Sequence, residues 1–207
     1  MSDLDAQVRA ADPDRWLSSR FVADEQARAD LIALYAFEAE LAAIPAKVSQ
    51  PLLAEMRLTW WAEQMDGVFA GAPRKGHPVL EALARAAERH RLKRAWADAL
   101  IEAQVDRAHR RPHELEALFV GPTQAAARVL AGPGHEAAVT DAARVRGLTL
   151  TGRGAEAAAL RPAANRALKA LPPAGFPAVA HAALRELDSP EPVKRLRLVW
   201  ATLRGRI

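Results

Sequence analysis

From Asp24 to Ile44 the chain carries neither proline nor glycine, and its apolar residues recur at helical spacing. Leu31, Leu34, Tyr35, Glu38 and Leu41 share one face of the helix this predicts, Glu38 being its charged member, and Pro45 reads as its stop. No stretch of the 207 residues shows a strand pattern, and no internal repeat is evident. The apolar half of the composition is mostly Ala and Leu, with few β-branched or aromatic residues, which favours helices over sheets. The expected fold class is therefore all-α, a single-domain helical bundle.

Proline and glycine divide the remainder. A first helix near residues 14–21 follows Asp12-Pro13-Asp14, a capping aspartate with proline just inside. Others are expected at about 50–69, 78–89, 92–109, 113–131 and 136–151, the last two separated by Gly132-Pro133-Gly134-His135. Beyond Leu150, Gly152 and Gly154 interrupt or end a helix, and Pro162, Pro172, Pro173 and Pro177 punctuate the remaining segment. Two short helices, at about 175–187 and 191–204, complete the pattern. This organisation makes residues 1–207 one domain, with a core over 12–153 and a basic, proline-punctuated segment over 154–207.

With no cysteine, disulfides, thiolate metal sites and thiol nucleophiles are excluded. No apolar run approaches the roughly 18–20 residues of a spanning helix, and the acidic start Met1-Ser2-Asp3-Leu4-Asp5 is unlike a secretory signal. The expectation is a cytoplasmic protein, with peripheral contact at the inner membrane left open. Charge is unevenly spread: residues 1–141 hold 17 Lys/Arg against 21 Asp/Glu, while residues 142–207 hold 12 against 4. A basic last third suits an acidic protein, a phosphate-bearing ligand, nucleic acid or an anionic membrane, or is simply a solvated surface.

Chemistry-bearing constellations are sparse. The six histidines include one helical pair, His109 and His113, with Pro112 between them, and no third ligand or HExxH. No nucleophile elbow, phosphate loop or dinucleotide fingerprint occurs. Asp98, Glu102 and Asp106 form a carboxylate ladder, flanked by Arg94 and Arg110 at pairing distance, so an exposed ion-pair row explains it as well as a cation site does. Glu38 and Glu40 point different ways on their helix, and Arg57 is an available partner for Glu38. Trp60 and Trp61, with Tyr35 and Phe37, either line a cleft or belong to the core.

Several segments together resemble the squalene/phytoene synthase family, especially its assembly-factor branch. They are Asp12-Pro13-Asp14-Arg15-Trp16-Leu17, Leu34-Tyr35-Ala36-Phe37, and Pro51-Leu52-Leu53-Ala54-Glu55-Met56-Arg57-Leu58-Thr59-Trp60-Trp61. Gly76-His77-Pro78-Val79, Glu102-Ala103-Gln104-Val105-Asp106 and Leu196–Arg206 add to the likeness. The resemblance implies an isoprenoid synthase fold, with the C-terminal part shortened. It also implies two aspartate-rich helices that hold magnesium against prenyl diphosphate. Aligned on Tyr35-Ala36-Phe37, the first DDxxD falls on Ala42, Ala43 and Ala46. Aligned on Leu148 and Arg153, the second motif puts Leu150 at an asparagine, Gly154 at an aspartate, and Ala157 and Ala158 near the later acidic pair. Asp106 matches an aspartate of the family's Gly-x-x-x-Asp segment. Methyl groups ligate no cation.

The missing carboxylates imply a catalytically inactive relative without cofactor, and the resemblance implies an assembly or accessory factor of the respiratory complex I type. Its binding surface is the old cleft, with Tyr35, Phe37, Glu38, Arg57, Trp60, Asp106 and Arg153, together with the basic stretch from Arg144 to Arg206. A protein partner or a lipid-like ligand would occupy it. The alternative is a divergent prenyltransferase that uses magnesium with Glu38, Glu40, Asp98, Glu102 and Asp106. Nucleic-acid binding has no reader motif behind it and is not expected.

Overall fold

The computed structural model, which describes residues 3–112 and 114–207, is helical as the apolar spacing predicts. Ten α-helices occur among the described residues. They are α1 (Asp3–Ala11), α2 (Pro13–Ser19), α3 (Glu25–Lys47), α4 (Pro51–Phe69), α5 (Pro78–His90), α6 (Ala95–Ala108), α7 (Gly121–Ala131), α8 (Glu136–Leu150), α9 (Gly154–Ala167) and α10 (Glu191–Arg204). A π-helical segment, Glu116–Val120, leads straight into α7, and three 3-10 pieces, Leu168–Ala170, Pro173–Ala178 and Ala180–Ala183, fill the stretch before α10. No strand occurs among the described residues. His113, half of the expected His109–His113 pair, lies outside them.

Helix α3 is the axis. Residues 30–38 are buried without a break, because α1, α2, α4, α5, α6 and α7 all pack against it. Ala33 and Ala36 on this helix are almost fully enclosed, their small side chains letting neighbours approach closely. Its start is fixed by Asp24, whose side chain accepts from the Ala27 N–H, and that of α2 by Asp12, which accepts from the Arg15 N–H at 3.0 Å. Buried Asp30 ties α3 to α5 through Arg89 at 2.6 Å and His90 at 2.8 Å.

Three expectations need correcting. Pro45 does not stop α3: it sits inside the last turn, where one missing amide bond to Leu41 is tolerated, and Val48 N–H still reaches the Ile44 carbonyl. Of the stretch expected as a helix over 113–131, the described part carries a π segment at Glu116–Val120 before α7, and the one expected over 175–187 is short 3-10 turns. Helices α1 and α9 were not expected from the sequence pattern. Helix α9 accommodates Pro162 because the carbonyl it orphans belongs to exposed Ala158, where water can bond it. Helices α8 and α9 form a hairpin around Thr151–Arg153, and Gly152 makes the turn at a φ of 76°, a conformation that glycine adopts readily.

Candidate functional site

A cleft of about 810 Å³ opens between α3, the N-terminal helices α1 and α2, α6, the π segment and the end of α8. Its α3 wall is a stripe at i, i+3, i+4, i+7 and i+8: Tyr35, Glu38, Ala39, Ala42 and Ala43. Leu150 and Thr151 stand at the end of α8, and Leu118 and Phe119 project from the π segment. Phe119 lies against α8 where Gly147 leaves room: a Cβ there would come within 2.7 Å of its ring. A π turn adds a residue to the helix and re-aims the side chains after it.

The depth of the cleft is polar. Arg15 of α2 donates to Glu38, both side chains being about nine-tenths buried, and the guanidinium also stands 5.1 Å from the Tyr35 ring centre. One carboxylate oxygen of Glu38 and the Tyr35 hydroxyl find no protein partner. Burial pushes the Glu38 carboxyl above its usual range while the Arg15 guanidinium pulls against it. Burial likewise raises the Tyr35 phenol, again opposed by Arg15. Closer to the rim, the Gln7 amide donates to Glu40, and Arg107 donates to Gln104 at 2.9 Å.

Near this pair is a second buried network. Asp14 accepts from Arg146 of α8 at 2.9 Å and from Lys194 of α10 at 2.8 Å, so one carboxylate joins three helices. His181 is buried, and its Nδ1 has no partner. Burial holds its basicity well down, and the charges of Arg15 and Arg146 lower it further.

The structure gathers some of the expected residues and scatters others. Tyr35, Glu38, Ala42, Ala43 and Leu150 line the cleft, whereas Ala46 lies one turn further along α3 and is exposed. Phe37 does not line it: the ring is fully enclosed between Trp61 at 5.5 Å and Trp96 at 5.7 Å. Two residues apart on a helix, Tyr35 and Phe37 face nearly opposite ways. Trp60 sits outside the cleft as well, beside Trp61 and His77 and under Arg74. Arg57 is exposed on α4 and does not reach Glu38, whose partner is Arg15. Arg153 and Gly154 are exposed past the α8–α9 turn, and Arg153 pairs with Glu156 at 2.6 Å.

The carboxylate ladder on α6 is a surface feature. Asp98 pairs with Arg94, which also reaches Asp66, and Glu102 is exposed. Asp106 pairs with Arg111 at 2.8 Å rather than with Arg110, whose φ of 56° turns the chain away. None of the three lines the cleft. Sequence reading missed Arg15 and Gln104 as cleft residues, although both lie inside segments that carry the family likeness.

The residues present do not fit a magnesium cluster. The cleft-lining α3 positions aligned with the first DDxxD, Ala42 and Ala43, carry methyl groups, Glu38 is engaged by Arg15 and Glu40 by Gln7. Among the described residues no three His, Asp or Glu side chains converge to hold a metal ion. On the second wall α8 ends at Leu150, and the turn at Gly152 carries positions 154, 157 and 158 onto the next helix, α9.

This helix-lined cleft, with α3 on one side and α8 on the other, defines a class. A profile of the squalene/phytoene synthase family matches residues 8–120, more than half of the sequence, and the chain belongs to that family. The all-α architecture is of the isoprenoid synthase type. Among curated proteins it is similar to NADH dehydrogenase (ubiquinone) complex I, assembly factor 6. The bovine protein is 32% identical over 113 residues, which is 53% of this chain and 33% of that protein. The human protein is 29% identical over the same shares. The rat protein is 33% identical over 88 residues, 41% of this chain and 26% of that one. The matched region thus spans no more than about a third of these relatives.

Proposed function

We propose that this protein is a catalytically inactive member of the squalene/phytoene synthase family that serves as an assembly or accessory factor for a respiratory NADH dehydrogenase complex. One observation carries the inactive part: the cleft faces Ala42 and Ala43 where the family's chemistry needs carboxylates, and its depth is filled by an Arg15–Glu38 pair. Leaving-group stabilisation in that chemistry comes from the ion cluster, and a wall of methyl groups supplies no carboxylate to hold one. The assembly role rests on the relatives' names. A protein partner is its central requirement, with a lipid-like occupant of the cleft and peripheral contact with a membrane as further parts of the proposal. No helix among the described residues is long and apolar enough to cross a membrane.

The test is deletion of the gene in its own host, followed by native electrophoresis of membrane complexes and assay of NADH oxidation. Loss of the assembled NADH dehydrogenase complex, restored by the wild-type gene and by an Ala42→Ser variant alike, is the expected result. An intact, fully active complex in the deletion strain would remove the assembly role.

A further inference from the structure

The described residues expose nine large hydrophobic side chains, and five of them, Val193, Leu196, Val199, Trp200 and Leu203, are on α10. Chance placement on the surface would scatter them. Positions 193, 196, 200 and 203 instead follow i, i+3, i+7 and i+10, a single stripe about 15 Å long at 1.5 Å per residue. Leu196 is 70% exposed, Trp200 55% and Leu203 76%. The opposite face is the one that docks: Leu198 and Ala201 are buried, and Lys194 reaches Asp14 beneath. The C-terminal end of the helix is held. Gly205, with a φ of 60°, closes its C-terminus, and the Asn165 side chain bonds both the N–H and the carbonyl of Ile207. The apolar stripe is therefore held outward by packing on its other side.

Basic residues border the stripe. Arg195 and Arg197 flank it, paired with Glu191 and Glu186 respectively. Arg204 stacks on the Trp200 ring with its guanidinium carbon 4.0 Å from the ring centre, and Arg206 follows just past the end of the helix. Among the described residues neither Arg204 nor Arg206 forms an ion pair, and residues 142–207 carry 12 Lys/Arg against 4 Asp/Glu.

We propose that the outward face of α10 docks on an anionic lipid surface, with Leu196, Trp200 and Leu203 entering the headgroup–acyl boundary and Arg204 and Arg206 meeting lipid phosphates. An outward apolar stripe edged by arginine is what an interfacial helix needs, because long cationic side chains reach up to the headgroups while their stems and the indole stay in the apolar layer. A second copy fits this face less well. The helix's one carboxylate, Glu191, already pairs with Arg195, so a facing copy brings two more uncommitted arginines and no uncommitted carboxylate. The α10 face gives the proposed membrane contact a specific surface, yet it does not depend on the assembly role. The vesicle assay reads binding alone and the deletion strain reads assembly alone, so either can fail without the other.

The experiment is flotation of the full chain with vesicles of phosphatidylcholine, and with vesicles of phosphatidylcholine and phosphatidylglycerol in equal parts. The protein is expected to float with the anionic vesicles and remain behind with the neutral ones, and to be released as salt rises. Leu196→Glu/Leu203→Glu, both at exposed positions, should keep the melting temperature and cut partitioning by about tenfold or more. Arg204→Glu/Arg206→Glu should weaken anionic binding while leaving the apolar face in place. Equal binding to both vesicle types, or wild-type binding by the Leu196→Glu/Leu203→Glu variant, overturns the proposal. So does a wild-type dimer in sedimentation equilibrium that becomes monomeric in that variant and never floats, which would assign the face to a second copy.

Discussion

Arg15 and Glu38 are each other's main counterion in the depth of the cleft, and each is costly to bury alone. Arg15→Met, which removes the cation and keeps much of the volume, should destabilise the fold by about 3–5 kcal/mol in urea denaturation. Adding Glu38→Leu should recover much of that loss, since the pair vanishes together. A single variant as stable as wild type would mean that the cleft hydrates the carboxylate freely. His181 gives a pH signature. Its folded-state basicity lies well below the ordinary value of 6.5, so the unfolded chain takes up a proton that the folded chain refuses. Stability should therefore fall as pH drops below about 6.5, more steeply in wild type than in His181→Gln. Glu38, whose carboxyl is raised, acts in the opposite sense, its contribution being lost as pH rises, but it is present in both proteins. Parallel stability profiles from about pH 8 to pH 5 would exclude a buried neutral His181.

Among the elements, the π segment and α8 depend on a missing side chain. Gly147→Ala drives a methyl into Phe119, and because that ring is only half-buried it can swing aside at the expense of the cleft wall. The expected cost is about 1–3 kcal/mol in chemical denaturation, relieved when Phe119→Leu is added. An additive double variant would contradict the contact. Elements were legible where local chemistry marked their starts: Pro13, Pro51 and Pro78 each stand at a first helical position, and Asp12 and Asp24 cap. They were illegible where a proline stood inside, as at Pro45 in the last turn of α3 and at Pro162, because the tertiary surroundings decide whether a missing amide bond is tolerated. The candidate site followed the same division. Spacing along α3 brought Tyr35, Glu38, Ala42 and Ala43 together, while the partner of Glu38 came from α2, a tertiary fact that no spacing within α3 contains. Phe37 could have been separated from Tyr35 by helix geometry alone.

For the molecule as a whole, α3 and α8 frame a cleft with methyl groups at Ala42 and Ala43 on one wall and, on the other, a helix that ends at Leu150 before the turn at Gly152. Restoring the first wall should not restore function. Ala42→Asp/Ala43→Asp/Ala46→Asp supplies one set of carboxylates, but the turn at Gly152 still carries the second set of positions away. This triple variant is expected to show no turnover of farnesyl diphosphate in magnesium, measured as pyrophosphate release. Turnover would mean that one wall suffices. The basic last third and the outward apolar face of α10 are features of the same molecule that lie outside the cleft lining.

The central claim is that this cleft no longer holds divalent cations against a diphosphate. Calorimetric titration of the wild-type chain with farnesyl diphosphate, in magnesium and in chelator, addresses it directly. No saturable heat that depends on magnesium is expected. A magnesium-dependent isotherm, abolished by a bulky Ala43→Leu substitution inside the cleft, would contradict the claim.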